Sequence, residues 1–274
     1  MAMGWRVFLF LTVFTAGCGR GPSPLLRVGQ APIFDFPLYV SSGDGSGTIW
    51  QFDADGTKTV FVTGLSNPKG VASDKFGHLW VVEGGTSSLL KIALGSKEIT
   101  VVRSGLSFPT VVAVDSFGEA YVTQEGANNI VRASDAKVVA SFSSRATAVA
   151  FGVNDLMLIG LYDEGKVRWG AEETSATAAV SEPVMIATDG TGRVYVAEGA
   201  ASNAKVHRFH QRAPNGKKTV ADGLNGATGI AVDAVGNIYI AEPGASRIVL
   251  ATYDGRLFNW VGITAPQYMA FTQY

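Results

Sequence analysis

The sequence predicts an all-β fold, a six-bladed β-propeller of four-stranded antiparallel blades whose ring is closed when the C-terminal strand joins the N-terminal blade. Three observations predict it. First, residues 226–242 read as a short apolar strand, a tight turn and an alternating strand, with Tyr239 eight and Glu242 eleven residues after Ala231. The same offsets recur from Ala72 (Trp80, Glu83), Ala113 (Tyr121, Gln124) and Ala187 (Tyr195, Glu198); a degenerate copy starts at Ala150 (Leu158, Leu161), and Ala270 opens another just before the chain ends. Second, these alanines are spaced by 37 to 44 residues, a period that marks units unable to bury their faces alone. Third, each unit holds four short β-like runs, and helical periodicity is absent after residue 18, which suits blades of four antiparallel strands.

The N-terminus reads as an export signal. Arg6 precedes a ten-residue apolar run over residues 7–16, too short to span a bilayer. The run ends in Ala16-Gly17-Cys18, which resembles a bacterial lipobox, whose cysteine is diacylated and becomes the new N-terminus; Thr15 departs from the leucine usual there. The competing reading is an ordinary secretory signal cleaved near Ala16, with Cys18 incidental. Cys18 is the one cysteine, so the mature domain has no internal disulfide. The expected organisation is a signal peptide at 1–18, a tether at 19–31 containing Pro22 and Pro24, and the propeller at 32–274. The expected address is the bacterial cell envelope, lipid-anchored or secreted, with membrane contact through the anchor alone.

Blade one shows strand-like runs at 37–41, 48–52 and 59–62 but no good innermost strand, and the following blades are expected at 69–103, 110–142, 147–180, 184–221 and 228–261. Two segments compete for the missing strand. Residues 28–33 are in frame but carry Pro32, which removes a ladder donor; residues 267–272 carry Met269-Ala270-Phe271 and no proline. The C-terminal segment is therefore expected to close the ring, which removes exposed sheet edges. The turns between the first and second strands share Asp-x-x-Gly: Asp74 to Gly77, Asp115 to Gly118, Asp189 to Gly192 and Asp233 to Gly236. Aspartate can accept from its own downstream backbone and glycine supplies φ > 0, so these are turns before they are calcium loops; Asp53-Ala54-Asp55-Gly56 reads likewise. The small alanine of each first strand is explained by crowding near the propeller axis.

The stretch Gly229-Ile230-Ala231-Val232-Asp233, followed by Gly236-Asn237-Ile238-Tyr239-Ile240-Ala241-Glu242 and Ser246-Arg247-Ile248, resembles the NHL repeat, and is similar to the repeats of streptogramin-lyase-like and gluconolactonase-like propellers. The resemblance spans nearly the whole mature chain. It implies the fold; because such repeats serve enzymes and binding scaffolds alike, it leaves the activity open.

Composition narrows the partners. With 22 basic and 23 acidic residues the formal net charge is −1, or −2 once Arg6 leaves with the leader; without a basic stripe, nucleic acid is not an expected partner. In a propeller the offset-eleven residues end their strands on the face of the loops joining blades, where ligands commonly sit. Ser42, Glu83, Gln124, Leu161, Glu198 and Glu242 should thus ring the channel. Glu83, Glu198 and Glu242 with two neutral polar groups would suit a hard cation such as calcium, the one cofactor the sequence suggests; the plainer reading is that each simply ends its strand and bonds the adjacent loop between the second and third strands of its own blade. Histidine chemistry is not expected: His78 lies in a turn on the opposite face, and His207 and His210, three apart in a strand, point to opposite sides. Gly43-Asp44-Gly45-Ser46-Gly47 reads as a flexible connector, and Arg145, Arg168, Arg193 and Arg208 as solvated blade edges. No catalytic residue stands out. The leading expectation is a monomeric recognition scaffold for a protein, peptide or glycan on the loop face, and the alternative is a metal-dependent lactonase or lyase using the carboxylate ring.

Overall fold

The computed structural model of the chain describes residues 37–199 and 201–272; the leader, the tether, Cys18 and residues 28–33 lie outside them. Six four-stranded antiparallel sheets form the blades. Blade one comprises β1 (Leu38–Ser42), β2 (Ile49–Phe52) and β3 (Lys58–Val62). Blade two holds β4 (Pro68–Ser73), β5 (His78–Glu83), β6 (Ser88–Ala93) and β7 (Ile99–Arg103), and blade three β8 (Pro109–Val114), β9 (Ala120–Gln124), β10 (Asn129–Arg132) and β11 (Val138–Ser141). Blade four is built from β12 (Ala146–Phe151), β13 (Met157–Leu161), β14 (Lys166–Trp169) and β15 (Ala176–Ala179). Blade five contains β16 (Pro183–Thr188), β17 (Arg193–Glu198), β18 (Ala204–His210) and the long outer β19 (Ala213–Leu224), and blade six β20 (Ile230–Val232), β21 (Ile238–Glu242), β22 (Arg247–Ala251) and β23 (Leu257–Gly262). The last strand, β24 (Pro266–Phe271), returns to pair with β1, placing Leu38 opposite Phe271, Tyr39 opposite Ala270 and Val40 opposite Met269. The ring is closed by the C-terminal strand, as the proline argument requires.

The offsets of the repeat have a direct geometric meaning. In every blade the first-strand alanine lies opposite the residue eight positions on: Ala72 with Trp80, Ala113 with Tyr121, Ala150 with Leu158, Ala187 with Tyr195 and Ala231 with Tyr239. Ala270 stands opposite Tyr39 in the closing blade. A small residue facing a large one lets the innermost strands converge without opening voids, since directly opposed side chains share one volume. The core lies between blades: Leu38, Val40, Phe52, Tyr239, Leu250 and Met269 pack together across the seam between blades six and one.

The Asp-x-x-Gly turns do what their composition predicts, and more. Asp74 Oδ1 accepts from Phe76 N at 2.9 Å and His78 N at 3.0 Å. Asp115, Asp189 and Asp233 repeat the pattern, while Gly77, Gly118, Gly192 and Gly236 take φ between 85° and 89°. The second carboxylate oxygen reaches the offset-eight ring: Trp80 Nε1 donates to Asp74 Oδ2 at 2.9 Å and Tyr121 Oη to Asp115 Oδ2 at 3.3 Å. Turn and core aromatic are thus one unit. Blade four lacks the pattern and uses a 3-10 turn at Val153–Asp155, whose Asp155 carboxylate accepts from Ser116 N and Oγ of blade three at 2.8 and 2.6 Å.

Candidate functional site: the loop face

On the face where blades are joined, the offset-eleven residues are already engaged. Glu83 Oε1 accepts from Ser66 N at 2.7 Å, Gln124 Oε1 from Ser107 N at 2.7 Å, Glu198 Oε1 from Ser181 N at 3.3 Å and Glu242 Oε1 from Asn225 N at 2.6 Å, each pair 17 residues apart. Each side chain pins the incoming inter-blade loop to its own blade. Second oxygens are used too: Glu83 Oε2 accepts from Thr86 Oγ1, and Glu242 Oε2 from Arg247 Nε. Ser42, at the closing blade, donates instead to Thr264 O at 3.0 Å. Blade four has Leu161 at the ring position, and Asp163, two residues on, takes over by accepting from Arg145 N at 3.0 Å. Among the described residues no three Asp, Glu, His or Cys side chains converge as a metal set. The sequence reading placed these residues on one face; the structure keeps each inside its blade and adds the inter-blade loop as partner. The expected consequence is that millimolar calcium, or its removal by chelator, leaves the melting temperature unchanged. A calcium-induced rise abolished by Glu83→Gln with Glu198→Gln would restore the metal ring.

The pinned loops share a second pattern that the repeat offsets did not expose: an aliphatic residue, then Ser or Thr, then a variable residue, then proline. It appears as Leu65-Ser66-Asn67-Pro68, Leu106-Ser107-Phe108-Pro109, Val180-Ser181-Glu182-Pro183 and Ile263-Thr264-Ala265-Pro266. Asn67, Phe108, Glu182 and Ala265 all have positive φ, between 44° and 53°, a conformation that costs a non-glycine residue free energy and holds only where its surroundings impose it. The imposing bonds are visible: the carbonyls of Asn67, Phe108, Glu182 and Ala265 accept from Gly84 N, Glu125 N, Gly199 N and Gly43 N, at 2.8 to 3.2 Å. In blade four Arg145 precedes the first strand, and in blade six Gly226. The recurring prolines were the signal that would have revealed this ring.

The side chains so presented differ from blade to blade. Phe108 is 76% exposed and lies over Gly126, where a Cβ would stand 2.6 Å from its Cδ2; any other residue there would lift the ring off the loop. Arg145, read from sequence as a solvated blade edge, is a loop-face residue. Its guanidinium pairs with Asp163 at 2.6 Å and lies 4.2 Å from the Tyr162 ring centroid. The Arg145 guanidinium holds the Asp163 carboxyl down at about 2. Burial, then a hydrogen bond to Glu182, push the Tyr162 phenol up. Deeper at the channel, Thr110 Oγ1 donates to Glu125 Oε1 at 2.7 Å, and burial followed by the Glu125 charge raises the Tyr268 phenol well above its ordinary range.

Two further expectations change. Arg168 is not a solvated edge: it is buried over the Phe142 ring, centroid 5.2 Å away, and its Nε has no hydrogen-bond partner among the described residues. His207 does reach the ring, contrary to the expectation that no histidine would. It is buried; Nε2 lies 2.8 Å from Glu198 Oε1, though off the line of an aligned hydrogen bond, and Nδ1 is 3.1 Å from Thr219 Oγ1. The cause is register. His207 stands opposite Val196, so it shares a sheet face with Glu198 two residues further on. His210 is exposed, and His78 bonds Asp74 in its turn at 3.0 Å, away from this face.

No protein-family model and no curated protein matches the sequence. Solved structures do. A propeller chain from a nidogen/laminin complex superposes with a TM-score of 0.74 at 11% identity, covering 87% of this chain and 99% of that one. A streptogramin B lyase gives 0.58 at 15% identity over 83% of this chain and 74% of its own. Virginiamycin B lyase from Staphylococcus aureus gives 0.60 at 15% identity over 87% and 93%. At such identities the likeness is one of fold: a six-bladed propeller architecture found both in a nidogen/laminin complex and in lyases.

Proposed function

We propose that the protein is a non-enzymatic recognition scaffold that binds a protein, peptide or glycan on its loop face, with a protein or peptide segment favoured. One observation carries the reading: the frame of that face is repeated while the residue it presents is not. Polar side chains of the second strand recur to pin this loop, and in four blades a proline follows a residue held in a costly conformation, namely Ala265, Asn67, Phe108 and Glu182, while Arg145 and Gly226 stand at the corresponding place in blades four and six. Repeat proteins bind through such variable positions on an invariant frame, and aromatic and arginine side chains, here Phe108 and Arg145 on successive blades, are the types enriched at interface hot spots. Glu83, Gln124 and Glu242 of the ring already bond the frame. The test is selection of peptides from a display library on the purified full chain. Enriched peptides should lose about tenfold or more in affinity to Phe108→Ala, an anchor worth at least ~1.4 kcal/mol. They should bind normally to Phe117→Ala, a turn residue on the opposite face. Failure to enrich, or equal binding by both variants, sinks the reading.

The same proposal places the protein in the bacterial envelope, held by a diacylated Cys18. Labelled palmitate should enter the wild type and not Cys18→Ser; equal labelling, or none in either, removes the anchor.

The pairing of His207 with Glu198 favours a second reading, a lyase or lactonase using that pair for acid–base work. Burial of His207 at 3% exposure leaves a substrate little access. Ring-opening of a streptogramin B or a simple lactone by the purified protein, lost in His207→Ala, would establish it and displace the scaffold reading.

A further inference from the structure

On the face opposite the loops, four of the turns between first and second strands carry exposed apolar tips. The tips of the first-to-second strand turns present Phe76 (57% exposed), Phe117 (82%), Val153 (39%) and Val235 (42%), with Tyr253 (55%) on the neighbouring turn of blade six. Nothing in turn chemistry asks for these types: the Asp-x-x-Gly pattern fixes the aspartate and the glycine and leaves the tip free, where polar residues are the rule. Phe76 and Phe117 are side by side, since a Cβ at Gly118 would meet Phe76 Cε2 at 2.7 Å. Neighbouring exposed aromatics, with further apolar tips on the same face, are the composition of a surface that docks on something.

The position of the chain's ends says what covers it. β1 is a second strand of its blade, so it starts at the turn face, and Thr272 N and Oγ1 both donate to Pro37 O there at 3.2 Å. The described chain therefore begins on the apolar face, and residues 1–36 join it there. That segment contains the ten-residue apolar run at 7–16 and Cys18. The eighteen residues between Cys18 and Pro37 can span at most about 65 Å. A chain that enters the propeller on this face allows a bilayer holding the N-terminal end to meet the turn face with the loop face turned away. We propose that the turn face of the propeller docks on a phospholipid bilayer, with Phe76, Phe117, Val153 and Val235 seated at the headgroup–acyl boundary, so that the loop face points outward to its partner. The proposal rests on the anchored reading for its geometry and on the apolar tips for its contact. Apolar side chains at that depth add affinity in proportion to buried area. Lys75, Asp155 and Arg193 lie among the tips, so no net electrostatic attraction is invoked.

The test separates the face from the anchor. The mature chain, with a polyhistidine tag placed before Gly19 instead of the leader and Cys18, is held on phosphatidylcholine vesicles containing a nickel-chelating lipid, which supplies the tether whether or not Cys18 is acylated. Tryptophan is placed at Phe117→Trp or, as the opposite-face control, Phe108→Trp; both sites are exposed, and unchanged melting of each variant is checked first. Brominated phosphatidylcholine should quench the added emission at 117 and leave that at 108 unaffected. In untethered protein, Phe76→Ser with Phe117→Ser should lower partitioning into the same vesicles about tenfold or more. Equal quenching at both sites, or none at 117, overturns the proposal. So does emission at 117 that is shielded from soluble quencher, not quenched by lipid and accompanied by a dimer in sedimentation, because the face then belongs to a second copy. Absence of palmitate labelling overturns the anchor alone and leaves the tethered arm readable.

Discussion

Deleting residues 266–274 should abolish the single cooperative unfolding transition of the propeller or lower its midpoint by roughly 10–20 °C, at 2–4 °C per kcal/mol for a domain of this size. The strand removed, β24, is the innermost strand of blade one, although it comes last in the chain. Its loss strips β1 of the partners of Leu38, Tyr39 and Val40. It also removes Met269 from the cluster between blades six and one, and parts the Phe271 ring from Tyr239, whose centroids lie 5.1 Å apart. Two side chains of this size contribute about 1.5–3 kcal/mol each when buried, and the exposed edge of β1 adds a site for aggregation. A loss on that scale is a large part of the 5–15 kcal/mol typical of whole domains. Thermal melts followed by circular dichroism and by light scattering check it. A truncated chain that melts like the wild type means the seam is held elsewhere.

That closure was legible in the sequence because it is a question of exclusion. One candidate strand contained Pro32, and the other had apolar residues with no alternative place to go. The blade order, the alanine offsets and the Asp-x-x-Gly turns were legible for a related reason: a repeat displays the same local physics several times, so period and pattern confirm one another. What stayed hidden depends on pairings that no single unit spells out. The contact between His207 and Glu198 follows from the register of β17 against β18, which sequence separation alone does not fix. Asp163 replaces Leu161 as the loop pin from two residues further on, so an argument by fixed offset sees a gap where the structure has a substitute. The variable loop ring was missed because its defining feature is a positive φ before proline, a conformation that propensity argues against and that only the surrounding carbonyl bonds sustain.

Asp74→Ala should be the most costly single substitution among the turn aspartates, destabilising the fold by about 3–5 kcal/mol, because buried donors left unpaired cost about 1–3 kcal/mol each. Asp74 is 2% exposed. It accepts from Phe76 N and His78 N through one oxygen and from Trp80 Nε1 through the other. Alanine strands the indole N–H inside the interface between blades two and three, where Trp80 packs with Val82, Val112 and Val122. Asp189→Ala should cost less, since the Tyr195 hydroxyl stands 3.5 Å from Asp189 Oδ2 and the turn is more open. Asp74→Asn distinguishes the contributions. Its carbonyl oxygen can keep both backbone donors, while its amide sets a donor against Trp80 Nε1, so it should fall between wild type and alanine. Pairing Asp74→Asn with Trp80→Phe removes that clash, and the two changes should then cost less together than their separate effects summed. Chemical denaturation of the four proteins reads these differences directly. If the aspartate served a bound cation instead, chelator would reproduce the loss in the wild type and leave Asp74→Ala unaffected. If Asp74→Ala unfolds at the wild-type midpoint, then glycine geometry and strand pairing alone hold the turn, and the link between turn and core aromatic has no energetic weight.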